Sequence, residues 1–334
     1  MTNLNSPIFQ SEDAAREHLE AQRWPDGAVC PHCGCVGDKH VTPIKGARAR
    51  PSAAHPEGKE RKGLYQCNGC RKQFTVTVGT VFERSKVPLH KWLLATYLLT
   101  SSKKGMSAHQ LHRTIGVTYK TAWFMFHRIR EAMKEDTSSS GPLGGEGKTV
   151  EADETYYGQV DNPRKTRTDG TPFKRSKRGR GPANKRAVVS LVERGGSVRS
   201  FHVKHATKAS VREILVKNAS RKSKLYTDES KLYTETGKEF AKHRTVHHAS
   251  GEYVRGEVHS NTIENYFSVF KRGMRGIYQH CGEAHLQRYL TEFDFRYNRR
   301  SKLGFTDDDR HNALLKMIAG KRLTYRRPDQ ASFA

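Results

Sequence analysis

A multidomain α+β architecture is what this 334-residue sequence predicts, on three observations. Two Cys-x-x-Cys pairs lie before residue 71, and a stretch of helical periodicity follows them. After a Gly- and Ser-rich break at 136–147 the apolar period shortens to two, as in strands. These changes separate an N-terminal helical segment 1–25, a cysteine region 26–82, helices over 86–135, a linker 136–147, an α/β domain 148–305 and a C-terminal tail 306–334.

The opening segment reads as a polar helix over 11–22, ended by Trp24-Pro25. Next come Cys30-Pro-His-Cys33 and Cys67-Asn-Gly-Cys70. Two-residue spacing lets both thiolates of a pair reach one tetrahedral ion at about 2.3 Å, so one Zn²⁺ on Cys30, Cys33, Cys67 and Cys70 is expected. The 33 intervening residues exceed a usual zinc-ribbon spacing, and a basic, Pro-rich loop at 41–62 accounts for the excess. Tyr65 and Phe74 flank the second pair as ribbon strands would; Cys35 and His32 are weaker ligand candidates, and Cys281 stands apart. Helices are expected at 89–100, 107–115 and 119–133. The last two, joined at Gly116, match a helix-turn-helix whose second helix offers Thr118, Tyr119, Lys120 and Thr121 to a major groove.

Beyond the break, strands are expected at 150–156, 187–192 and 198–203, then a helix at 208–219, a strand at 224–227, and helices at 261–271 and 285–297. Three strands, helix, strand, helices is the order of a ribonuclease H-like α/β domain. A basic insertion at 161–186, with ten Lys or Arg against two acids, separates the first two strands. It reads as a solvated segment able to touch phosphates without sequence preference.

Lys and Arg number 60 against 34 acids, a formal charge of +26 with a pI of about 10.0. That excess favours a polyanionic partner, since neutralised phosphates release condensed counterions. Hydrophobic residues make up 35%, low for one compact globule but too many for wholesale disorder. Residues 1–16 lack the apolar core of a signal peptide, and the longest apolar run, 92–99, is too short to span a bilayer.

Against this charge three acids stand out. Asp153 and Asp228 each end a strand-like run, and Glu264 lies in a helical pattern with Lys271 seven residues on, along the same face. Carboxylates gathered from strand ends and a helix can hold two Mg²⁺ ions roughly 3.5–4 Å apart for phosphodiester chemistry. Glu151 shares a strand face with Asp153 and competes for the first position. Glu154 is also a close competitor for that position, although alternation places it on the opposite face; Glu229 adjoins Asp228 on the other side, and removing either Glu154 or Glu229 is expected to leave substantial activity. Asn261, one turn before Glu264, competes for the third position.

These motifs together resemble bacterial insertion-sequence transposases of the DDE, retroviral-integrase-like superfamily that carry an N-terminal zinc ribbon. The resemblance rests on the cysteine region, on Asp153-Glu-Thr-Tyr-Tyr-Gly158, and on His259-Ser-Asn-Thr-Ile-Glu264-Asn-Tyr-Phe-Ser-Val-Phe-Lys271-Arg272. It continues through Tyr289-Leu-Thr-Glu-Phe-Asp-Phe-Arg296-Tyr-Asn-Arg-Arg300. It implies Asp153, Asp228 and Glu264 as ligands of Mg²⁺ or Mn²⁺, with Asn261 retaining a claim because the third position varies between Glu and Asn. Lys271 would be a phosphate contact. Double-stranded DNA, as terminal inverted repeats and target, a homo-oligomer on DNA, and a cytoplasmic, nucleoid-associated location follow from the same resemblance. The alternative is a regulator that kept the DNA-binding parts and lost catalysis.

Overall fold

In the computed structural model Ser11 caps α1 (Glu12–Arg23), its hydroxyl accepting the Ala14 N–H at 3.4 Å. Residues 4–53, 56–136, 140–161, 170–171, 184–247, 251–252 and 254–324 are described. They divide into one unit of Met1–Lys134 with Phe305–Ala334 and a second of Glu135–Gly304. In the first, β1 (Val41–Pro43), β2 (Tyr65–Cys67) and β3 (Gln73–Phe74) form an antiparallel sheet. Trp24 stands edge-on to Tyr65 and Phe74, with ring centroids at 5.4 and 5.9 Å, and closes the sheet onto the end of α1.

α2 (Leu89–Ser101) is largely buried, and α3 (Ala108–Ile115) and α4 (Tyr119–Ala132) follow. Gly116 makes the turn between them at φ +62°, where a side chain would be strained. Thr118 then caps α4 by accepting the Thr121 N–H at 3.2 Å. Two helices joined by a turn at Gly116 thus stand where the sequence predicts a helix-turn-helix.

The second unit opens with β4 (Thr149–Gln159), β5 (Lys185–Glu193), β6 (Val198–Val203) and α5 (Lys208–Asn218). β7 (Lys224–Thr227), α6 (Thr234–Gly237), β8 (Lys242–Thr245), the hairpin β9 (Val254–Arg255) and β10 (Val258–His259), α7 (Asn261–Gly273) and α8 (Leu286–Asn298) complete it. The sheet order is β6-β5-β4-β7-β8: the first three strands are antiparallel, and β7 and β8 join parallel to β4. That is the ribonuclease H-like arrangement. Strand alternation divides the core. Val150, Ala152, Val189 and Leu191 pack with α5 on one face, while Val188, Val192 and Val198 meet Ile263, Phe270, Leu290 and Phe293 of α7 and α8 on the other.

Three expectations need correction. The break at 136–147 is not a free linker over its last eight residues. Leu143 is buried in the second unit's core, its N–H donating to Asn218 O and its carbonyl accepting the Ser220 N–H, both at 2.8 Å. One apolar side chain in a Gly-rich run suffices to dock it. The segment 306–334 is not simply a tail either: α9 (Asp307–Lys316) begins with a Thr306–Asp309 capping box, buries His311, Leu314 and Leu315, and packs on α1 and α2. Finally, β8 and the β9–β10 hairpin were not anticipated, being short and polar. The basic insertion 161–186 lies outside the described residues except at 161, 170–171 and 184–186.

Gly144 tests the first correction. It sits at φ +85°, and a Cβ there would lie 2.1 Å from Ser223 Oγ and 2.8 Å from Val150 Cγ2. Gly144→Ala is expected to lower unfolding free energy by about 2 kcal/mol in denaturant titration. A loss under about 0.5 kcal/mol, typical of surface sites, would restore the linker reading.

Candidate metal centres

Parallel pairing of β7 with β4, in register Glu151↔Tyr226, brings the end of β7 beside the middle of β4. Asp228 follows that end directly. Asp153, Glu154 and Asp228 each bring a carboxylate oxygen into a group whose members lie within 4.8 Å of one another. A cleft of about 440 Å³ opens here, lined by Asp153 and Glu154 of β4, by Glu264, Lys271 and Arg272 of α7, and by Arg275 just beyond it. Crowding of like charge is visible in the protonation equilibria. Burial first, then Asp228, Glu154 and Glu264, push the Asp153 carboxyl well above the usual range. Glu154 is also raised, mainly by burial, although Tyr233 Oη donates to it at 2.8 Å and Ser230 Oγ at 3.4 Å. Burial lowers Lys271, and the Asp153 carboxylate works against that shift.

From the sequence Glu154 competes for the first position but lies on the opposite strand face, so its removal is expected to be tolerated. The face is right, but β7 pairing reaches only to Glu151, and beyond it Glu154 meets Ser230 and Tyr233 of the segment after β7 and joins the acids. Glu229 does stand apart, exposed and 3.8 Å from His247 Nδ1. Glu264 lines the cleft and accepts the Ser260 hydroxyl at 2.7 Å, whereas Asn261 is exposed and is not among the lining residues. Arg272, which the sequence placed in the signature without a role, and Arg275, which it did not single out, also line the cleft; their place three residues apart just past Lys271, about one helical turn, was the available signal.

The second centre is in the first unit. Sγ atoms of Cys30, Cys33, Cys67 and Cys70 lie within 4.8 Å of one another, with Cys30–Cys70 at 3.7 Å and Cys33–Cys67 at 3.5 Å. A tetrahedral ion with bonds of about 2.3 Å needs sulfurs about 3.8 Å apart, so this donor set fits zinc. The Cys70 backbone N–H chiefly draws the Cys67 thiol down to about 6. Cys35 is close by, its carbonyl accepting the Cys30 N–H at 2.9 Å, but its thiol is not in the group. At the start of α4, Tyr119 is exposed and stacks on His109 at 4.2 Å.

Two family models match this chain: a transposase zinc-ribbon domain over residues 10–73 and an ISXO2-like transposase domain over 142–298. An uncharacterized protein in transposable element ISH50 of Halobacterium salinarum is 31% identical over 302 residues, covering 86% of this chain and 91% of its own length. This chain belongs to the ISXO2-like transposase family. Among solved structures, the Mos1 transposase paired-end complex with left transposon end shares 12% identity over 68% of this chain and 75% of its own, with a TM-score of 0.27. A pre-cleavage Mos1 transpososome shares 10% over 60% and 74%, with a TM-score of 0.19. Such low superposition leaves the fold assignment of this transposase resting on its strand order. Among the described residues no helix is long and apolar enough to cross a membrane.

Purified without chelator, the transposase should carry one zinc per chain by elemental analysis. Cys67→Ser should lose it, and Cys35→Ser and Cys281→Ser should keep it. A second expectation concerns pH. A carboxyl raised in the folded state contributes stability below its unfolded value, and that contribution is lost as pH rises through the folded value. With zinc retained and no other divalent ion added, acidification from neutral pH should therefore first raise the melting temperature. Asp153→Asn should melt above wild type at neutral pH, and an unchanged melting temperature would contradict the crowding of charge.

Proposed function

We propose that the protein is an active DNA transposase that cuts the ends of its insertion sequence and joins them to target DNA in a Mg²⁺-dependent reaction. The observation that carries this reading is the cleft itself: acids from β4 meet basic side chains from α7 in a chain of net charge +26. An enzyme that works on a phosphodiester needs both, metal-binding carboxylates and cations for the flanking phosphates.

Asp153, Asp228 and Glu264 would hold Mg²⁺ or Mn²⁺, with Glu154 adding negative charge beside them. Bound there, the ions would lower the pKa of an attacking hydroxyl and offset charge on the leaving oxygen. Lys271, Arg272 and Arg275 would hold the phosphates on either side of the scissile bond. Hydrolysis breaks the P–O bond to the 3′ oxygen and frees a 3′-hydroxyl. That hydroxyl then attacks a target phosphodiester, displacing another 3′ oxygen, so no covalent protein intermediate is needed. The zinc ribbon and the helix-turn-helix, with Tyr119 and Lys120 foremost, would bind the terminal inverted repeats. Two or more copies would pair the ends.

Strand cleavage and joining on DNA carrying the element's ends provide the test. Asp153→Ala, Asp228→Ala and Glu264→Ala should each lower activity by about a thousandfold or more, with end binding in gel shift within about twofold. Glu154→Ala should now be impaired as well, leaving Glu229→Ala as the active control. Mn²⁺ should replace Mg²⁺. Full strand transfer by the Asp153→Ala protein would rule out the proposed chemistry.

A further inference from the structure

We propose that Glu151 is a positioning residue for the acidic cleft, holding α7 against β4 so that Glu264 stands at the same opening as Asp153. The inference rests on the transposase reading and assigns it a residue that does not itself touch metal or DNA. Glu151 has no solvent-exposed surface and lies two residues before Asp153 on the same strand face. Its Oε2 accepts the backbone N–H of Thr262 at 3.0 Å and of Ile263 at 3.1 Å. Its Oε1 accepts the Thr262 hydroxyl at 2.9 Å and Arg194 Nε at 2.6 Å. A carboxylate offers about four lone-pair sites, and here four donors occupy them. No oxygen is left for a metal ion.

The same contacts satisfy the start of α7. First-turn N–H groups of a helix have no partner within it and favour a negative charge. The N-cap of α7, Ser260, makes no capping hydrogen bond with its side chain; its hydroxyl donates to Glu264 instead. The cap therefore comes from the neighbouring strand. Arg194, in the turn between β5 and β6, completes the joint: Nη1 donates to Glu257 O at 2.7 Å and Nη2 to His259 O at 2.9 Å. Nη2 also lies 3.0 Å from His259 Nδ1, a ring nitrogen itself 3.5 Å from Glu151 Oε1. One buried carboxylate thus ties β4, the β5–β6 turn, the β9–β10 hairpin and α7. Glu264 lies in the turn so anchored, and Lys271 two turns on along the same face.

Mn²⁺ binding to the full-length protein, read from the electron paramagnetic resonance of the free ion, tests this without relying on turnover. Glu151→Gln turns one acceptor into an NH₂ group that must face donors on whichever side it takes. It should weaken Mn²⁺ binding by about tenfold or more, the range found for residues that orient metal ligands. The number of ions bound at saturation should be unchanged, and end binding by gel shift should stay within about twofold. Cleavage should lose kcat rather than raise KM for DNA, and part of the loss should return at high Mn²⁺. Thr262→Val removes one of the four donors and is expected to shift Mn²⁺ binding in the same direction by about threefold. It carries the test if Glu151→Gln does not fold. Wild-type Mn²⁺ affinity in both variants would overturn the proposal. So would loss of one bound ion in Glu151→Gln with Thr262→Val unaffected, which would make Glu151 a ligand. Failure of the transposase reading would look different, as intact cleavage and Mn²⁺ binding in Asp153→Ala.

Discussion

Parallel pairing of β7 with β4 is the constraint on which the site depends. Adjacent strands lie about 4.8 Å apart, so a residue at the end of β7 stands beside a residue of β4 whatever their distance in sequence. That geometry joins Asp228 to Asp153 across the α5 crossover. It also explains why the pair is costly: two carboxylates fixed by hydrogen-bonded backbone cannot separate to relieve repulsion, and burial raises Asp153 further. A cation is the simplest relief. The sheet thus creates a demand for positive charge at one point on its edge.

α7 answers that demand from the other face. It brings Glu264, and on the same stripe Lys271, with Arg272 and Arg275 close behind. A helix is rigid over two turns, so its placement is decided by its first turn and its buried stripe. Ile263, Tyr266, Phe267 and Phe270 form that stripe, packing over Val188, Val192 and Val198. The polar start is held through Glu151. Apolar packing alone would tolerate small slides along the sheet, whereas three hydrogen bonds from the helix start to one carboxylate do not.

The first unit follows a different logic. Around its three short strands the Trp24, Tyr65 and Phe74 cluster packs the sheet, and a bound ion would add the cross-link that holds the cysteine loops. α9 joins the same unit from the far end of the chain. Its buried positions, His311, Leu314 and Leu315, are few and set among charges, which is why 306–334 reads as a tail from sequence alone.

Local rules determined much of this protein. Helical periodicity, Ser and Thr caps and the left-handed Gly116 set α1 to α4 without reference to the rest of the chain. Alternation set β4 to β6 and assigned Glu151 and Glu154 to opposite faces. Cysteine spacing was enough to select four thiols that the fold brings together. Tertiary structure decided what those local rules leave open. Whether a side chain at a strand edge is remote or adjacent depends on where the neighbouring strand stops, so Glu154 joined the acids. Which of Asn261 and Glu264 meets the cleft depends on the rotation of α7, set by its apolar stripe. Of the two acids on one face of β4, only the one opposite a helix start is consumed as a cap, because unpaired N–H groups there claim its oxygens.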